Sequence, residues 1–230
     1  MSDGDGGGEV DPRLEAISAA RDAFWAEWGF LDPNLWTNLV NPGFQGFPMW
    51  PGVRQAYRVA RRGSLTLLAT DGLADPYDDD TDDEVPGLGL EFFAVTKDEL
   101  RGDVGDWWLY DLLFQVAATA ADHGRLRPLI EKFGTMSLEC HDVDVPSSWR
   151  TESGTVGVLL GAQQTGGPGI RRTIDVPPDG VLAVNVKLLT PDELAFVAER
   201  GAEGRVALMK RLDAVGQQQR SGLDRTSVLP

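Results

Sequence analysis

The densest concentration of reactive side chains is the acidic run in which Asp75, Asp78, Asp79, Asp80, Asp82, Asp83 and Glu84 crowd one short segment. Carboxylate oxygens at that density are the donors hard cations take, but a calcium loop needs a glycine at its turn and a glutamate at its end. Here Asp78-x-Asp80-x-Asp82 runs into Asp83, and Gly89 stands where the glutamate would be. The spacing fits a solvated or partner-facing loop better than a metal site. Cys140-His141 pairs a nucleophile type with a base type. Neighbours on an extended strand point to opposite faces, so the two would not meet. His123 is the only other histidine and Cys140 the only cysteine, which leaves zinc without a ligand set and reads Cys140 as a small buried hydrophobe. Gly166-Gly-Pro-Gly169 lacks the Gly-Lys-Ser/Thr ending of a phosphate loop and reads as a turn. No catalytic residue, metal or cofactor is assigned.

The 230 residues carry 21 basic and 36 acidic side chains, a formal charge of -15, with 42% hydrophobic residues. That is enough apolar material for one full core. The charge repels nucleic acid and anionic membranes and favours a basic partner, and Arg171-Arg172 is too small a basic patch to reverse this. No window approaches the roughly 20 apolar residues that span a bilayer. The acidic, glycine-rich start lacks an export signal, and a lone thiol suits a reducing compartment, so the expected location is the cytoplasm.

The elements that would position these residues are legible by period and punctuation. Asp11-Pro12 opens a helix with Leu14, Ile17, Phe24 and Trp28 at near-helical spacing up to Gly29. Residues 31–52 combine four prolines with Leu35, Trp36, Phe44, Phe47, Met49 and Trp50, predicting an ordered loop packed on the core, with an exposed aromatic surface as the functional alternative. Strands are expected at 53–60 and 64–70, paired as a hairpin about Arg61-Arg62-Gly63, and at 87–95, 135–140, 155–161 and 181–189. The last alternates Leu182, Val184, Val186 and Leu188 with Ala183, Asn185 and Lys187, which predicts one wet face. Thr96-x-x-Glu99 suggests a short helix before Gly102. From Asp106, Trp108, Leu112, Val116 and Ala120 recur every fourth residue up to Gly124, the main sheet-packing helix. Thr190-Pro-Asp-Glu193 must start another helix, and a further one is expected from about Glu203, fraying after 215. The expected organisation is a disordered tail at 1–10, one domain at 11–215 and a polar tail at 216–230.

Four segments, taken in order, resemble the globular domain of the suppressor-of-fused family: Gly72-Leu-Ala-Asp75-Pro-Tyr77 for its Gly-Leu-x-Asp-x-Tyr; Gly87-Leu-Gly-Leu-Glu91-Phe92 for its Gly-x-Gly-x-Glu-Leu, with phenylalanine in place of leucine; a Trp-led helix from Trp107; and Thr190-Pro-Asp-Glu193-Leu194 for its Thr-x-Glu-Glu-Leu. The resemblance spans roughly residues 13–212. It implies an α+β fold, a mixed β-sheet flanked by helices, and a non-enzymatic protein-binding role. In two-domain members a peptide is clamped with the help of that tyrosine and an acid just before the Gly-x-Gly strand. Tyr77 matches the tyrosine, and Asp82, Asp83 and Glu84 are the candidates for the acid. The chain resembles the bacterial single-domain type, which is associated with polymorphic-toxin loci as immunity proteins.

The expected binding residues are therefore Tyr77, Asp79, Asp80, Asp82, Asp83 and Glu84, and the expected partner is another protein, basic, with a toxin as one candidate. Two other readings stand beside it: a metal-assisted hydrolase using the 75–84 acids with His141, and a housekeeping scaffold. Tyr77 reads equally as a residue that caps the core.

Overall fold

The computed structural model describes residues 11–52, 54–77, 86–164, 169–177 and 179–230. The fold is α+β. A mixed sheet runs β1 (Phe30–Leu31), β3 (Ala56–Arg62), β4 (Leu65–Asp71), β5 (Leu90–Thr96), β9 (Val181–Leu189), β7 (Val156–Leu160), β6 (Met136–Cys140). Three short strands lie off this path: β2 (Trp36–Thr37) on β3, β8 (Thr173–Ile174) on β9 and β10 (Arg220–Ser221) on β5. β3 and β4 form the expected antiparallel hairpin, but Arg61 and Arg62 pair within it and the turn narrows to Gly63-Ser64; β5 and β9 run parallel.

Alternate residues of the central strands feed opposite layers, as the pleat requires. Leu68, Phe92, Val184 and Val186 face α2 (Trp108–His123), whose Leu109, Leu112, Leu113 and Val116 are fully buried. Leu67, Phe93, Val95 and Ala183 face α1 (Pro12–Trp28) through Ile17, Phe24 and Trp25. A third cluster joins Leu159 and Leu189 to α4 (Pro191–Ala214) through Leu194, Val197, Leu208 and Leu212. Gly201 breaks α4 with non-helical backbone, so the two helices expected there meet at a kink. A short helix, α3 (Leu126–Phe133), fills the turn between α2 and β6 and carries too brief a stripe to be expected from sequence.

Three expectations are corrected. The first concerns residues 97–102, which form no helix: Thr96 ends β5 and its hydroxyl accepts from the Asp98 amide at 3.0 Å, while Glu99 turns to Arg101 instead of back to Thr96. The other two have one cause. The face of β9 carrying Asn185 and Lys187 is dry, and residues 216–230 are not a loose polar tail, because that segment covers that face. β10 pairs in parallel with Val95 and Thr96, beyond the point where β5 stops pairing with β9. Asn185 Nδ2 donates to Gln219 O at 3.1 Å, the Leu188 amide donates to Ser221 Oγ at 2.9 Å, and Lys187 Nζ donates to Arg220 O. The polar residues of the segment are thus the partners that the split between two strands requires. Further on, Arg225 and Glu193 form a buried ion pair and Val228 and Leu229 join the α4 cluster.

With Leu112 fully buried against the sheet, Leu112→Ala should cost about 2–5 kcal/mol in urea unfolding. A loss under about 0.5 kcal/mol would show that the wrong face of α2 has been assigned to the core.

Candidate functional site

Arg21 sits on the buried stripe of α1, between Ile17 and Trp25, and enters the sheet layer as a charge. Its guanidinium bridges three carboxylates: Asp71 Oδ1 at 2.7 Å, Asp75 Oδ1 at 2.6 Å and Glu91 Oε1 at 2.7 Å. Arg54 reaches Asp71 at 2.8 Å and Asp75 at 3.1 Å, and Arg58 pairs with Asp71 at 3.2 Å and with Asp22. Glu91 is completed by other groups: Thr70 Oγ1 donates to it at 2.6 Å, and the amides of Gly72 and Ala74 donate at 3.1 Å each. The Asp71–Asp75 turn and the start of β5 are therefore fastened to each other and to α1 by one network.

That fastening fixes the ground from which residues 78–85 depart. A side chain at Gly87 would lie 2.4 Å from the Asp75 carbonyl oxygen and 2.7 Å from that of Leu73, and its backbone has φ near +53°, so glycine is required there. Gly87 and Gly89 consequently form a turn and the strand begins at Leu90, later than the expected 87. The Leu88 amide donates to Leu73 O at 2.8 Å, joining the stretches that flank residues 78–85. Tyr77, 38% exposed, stands at the entrance to that segment. Asp79, Asp80, Asp82, Asp83 and Glu84 lie outside the described residues. Asp75, counted above among candidate cation ligands, is buried and spent on Arg21 and Arg54. Among the described residues no group of three or more His, Cys, Asp or Glu is placed to hold a metal ion.

The aromatic loop adjoins this frame. Trp50 is buried against Gly72, Pro51 lies beside Gly87, and Gly52 beside Asp75. Upstream, Trp36 packs on Tyr110 and Tyr57 at 4.7 Å and 5.8 Å between ring centroids, Phe47 packs on Phe114 of α2 at 4.9 Å, and Tyr110 Oη donates to Asn38 Oδ1 at 2.9 Å. The loop is ordered and packed, as expected, yet Leu39, Val40, Phe44, Phe47 and Met49 remain exposed on it. Elsewhere, burial pushes the Cys140 thiol up to about 12, and His141 beside it is exposed. Cys140 is a core residue.

Burial by itself would lower the pKa of Arg21, but Glu91, Asp71 and Asp75 outweigh it and raise the value, so the guanidinium stays charged. Burial pushes the Glu91 carboxyl up to about 6, opposed by Arg21 and by the Thr70 hydrogen bond and reinforced by Asp71 and Asp75. The sequence held a signal for Arg21 that the helical reading passed over: it falls four residues after Ile17 and three before Phe24, on the same stripe.

Two outcomes follow for the network. Arg21→Met should cost about 3–5 kcal/mol, since it strips a shared cation from three buried carboxylates, and Arg21→Lys should recover only part because one ammonium cannot replace a forked guanidinium. Full recovery by lysine in denaturant unfolding would count against the bridging role. For Glu91, a folded pKa raised from 4.5 to about 6 gives a stabilising contribution that is present below the unfolded value and lost as pH rises through the folded one. The stability advantage of the native protein over Glu91→Gln should therefore shrink by about 1 kcal/mol between about pH 5 and pH 7.5. A flat or rising difference would overturn it.

The fold is similar to that of two solved structures. One is described as the Sufu-Fu complex crystal structure, with a TM-score of 0.56 and 15% identity over 94% of this chain and 92% of that one. The other is the crystal structure of Drosophila Suppressor of Fused, with a TM-score of 0.51 and 17% identity, covering 94% of this chain and 51% of that one. The chain thus spans about half the length of the Drosophila structure. No family model matches the sequence, and no curated protein matches it.

Proposed function

We propose that the chain is a protein-binding domain that takes a basic partner at the surface formed by Tyr77 and the acids of residues 79–84. The observation that carries this is a buried network that holds together the stretches on either side of residues 78–85, with Tyr77 partly exposed at the edge of one of them. A fold similar to that of a protein crystallised in complex with another protein supports a binding role. So do the uses to which reactive groups are put: Asp71, Asp75 and Glu91 neutralise arginines, and Cys140 is buried as a thiol.

The formal charge of -15 suits a partner that is basic, because opposite net charges raise the encounter rate and complementary patches fix the docked orientation. A cytoplasmic immunity protein of the bacterial single-domain type, covering a basic toxin, satisfies that requirement, since an acidic protein can occlude a cleft built for phosphate. No helix of the described residues is long and apolar enough to cross a membrane.

The test begins with affinity capture of the native partner and mass-spectrometric identification, followed by surface plasmon resonance. Replacing Asp79, Asp80, Asp82 and Asp83 by Asn should slow association and flatten its salt dependence, because exposed charges act over a screening length of about 8–10 Å. Tyr77→Ala should leave association nearly unchanged and speed dissociation about tenfold or more, as loss of an aromatic anchor does. Unchanged rates in both variants would move the interface elsewhere.

A further inference from the structure

Among the described residues, ten large hydrophobic side chains are prominently exposed, and five of them stand on one loop: Leu39, Val40, Phe44, Phe47 and Met49. Leu39 is fully exposed and Phe44 is 74% exposed. Scattered single apolar side chains are ordinary, but a cluster on one segment marks a contact surface. This loop is not loose. Its Asn41 side chain accepts from the Gly43 amide at 2.8 Å to open a 3-10 turn at Pro42–Gln45, and the Met49 sulfur lies close enough to Gly43 that a side chain there would collide with it. Phe47 and Trp36 tie it to α2 through Phe114 and Tyr110. The exposed side chains are therefore presented on a braced support, which lowers the ordering cost of binding.

The sequence segments that carry and support the loop hold charges of one sign, and the nearest base, Arg54, is engaged with Asp71 and Asp75. No lysine or arginine occurs between Arg21 and Arg54, or between Arg101 and Arg125 on the helix that supports the loop. The acids there include Asp32 at the loop's start, and Asp103 and Asp106 on either side of Gly105, which lies under the Trp36 ring. An apolar cluster with acids and no neighbouring base in the sequence segments that carry it is complementary to an apolar stripe flanked by cations. A second copy of this chain or an anionic lipid surface would meet the same sign of charge.

We infer that the loop at 39–49 is a docking surface for a basic amphipathic helix of a partner protein, separate from the Tyr77 surface. Leu39 and Phe44 supply the apolar contact, and the exposed Asp103 and Asp106 attract the lysines or arginines flanking the stripe. The inference rests on the reading of the chain as a protein-binding domain, though not on Tyr77 or residues 79–84 as its site.

The probe is a synthetic helical peptide of leucine and lysine with all leucines on one face, titrated into the full chain and followed by tryptophan emission and calorimetry. Two controls accompany it: a scrambled peptide of the same composition without a continuous stripe, and a leucine–glutamate peptide with the stripe retained. Stoichiometric binding should weaken at least tenfold for either control, and at least tenfold when Leu39→Asp and Phe44→Asp are combined. Both side chains are exposed, so circular dichroism and the unfolding midpoint of the double variant should match the native protein. Equal binding of the lysine peptide and its scramble would reduce the effect to bulk charge and overturn the proposal. Equal binding by the native protein and the double variant would overturn the assignment to this loop. A native dimer in light scattering that the double variant dissolves would give the surface to a second copy instead. Tyr77→Ala should leave the peptide titration unchanged, so failure at this loop and failure of the Tyr77 surface are read separately.

Discussion

The architecture turns on a single buried guanidinium. Arg21 lies at 0% exposure on the apolar stripe of its helix, among Ile17, Phe24 and Trp25, where Asp71, Asp75 and Glu91 converge on it. Burying charges costs several kcal/mol each in lost hydration, so such a cluster survives when every member is paired and hydrogen-bonded. Here the pairing crosses three elements that sequence separates widely. Hydrophobic contacts would let α1 slide on the sheet, whereas a forked cation with carboxylates at 2.6–2.7 Å admits one placement. The network therefore sets where the turn after β4 lies relative to β5, and hence where the chain enters and leaves residues 78–85.

Much of this was legible, and the misses share a physical origin. The helices at Pro12–Trp28 and Trp108–His123, the hairpin of β3 and β4, and the strand Val181–Leu189 were readable because each carries an apolar period with stop signals at its ends. Both motifs of the network were visible as well, Thr70 to Tyr77 and Gly87 to Glu91, but as similarities. What pattern cannot supply is a partner distant in sequence. Glu91 in an apolar strand and Arg21 on an apolar stripe are each an anomaly alone, and each explains the other only once they are 2.7 Å apart. Tyr77 was recognisable in the same way, and it is 38% exposed.

The C-terminal segment shows the same limit from the opposite side. Asn185 and Lys187 alternate with aliphatic residues as a solvated face would, and Gln217 to Gly222 has the composition of a frayed end. Two polar stretches facing each other are nevertheless a dry interface when each satisfies the other's hydrogen bonds. Gln219 illustrates it: its side chain accepts from the Ile170 amide at 3.0 Å and its carbonyl accepts from Asn185 at 3.1 Å. Lys187 is held there with its pKa well below the usual lysine value, first by burial and then by the nearby Arg225. Hydropathy registers polarity and has no means of registering complementarity.

Charge balance inside the protein decides how the outside works. Arg21, Arg54 and Arg58 are matched by Asp71, Asp75 and Glu91, and Arg225 by Glu193, so these buried networks absorb essentially none of the net charge of -15. That excess therefore falls to the rest of the chain, including the six acids between residues 78 and 84, whose flanking stretches meet at Leu73 and Leu88. A long-range field of one sign accelerates encounter but is screened within about 10 Å and gives little residence time. Residence comes from desolvated contact, which acids cannot provide and which exposed Phe44 and Leu39 can. The aromatic loop joins the acidic segment's root at Pro51 and Gly52, so the two separate surfaces proposed above rest on one frame. Displacing Arg21 would disturb that frame through the Asp75 turn, on which Gly52 and Gly87 both abut, without touching a single surface residue.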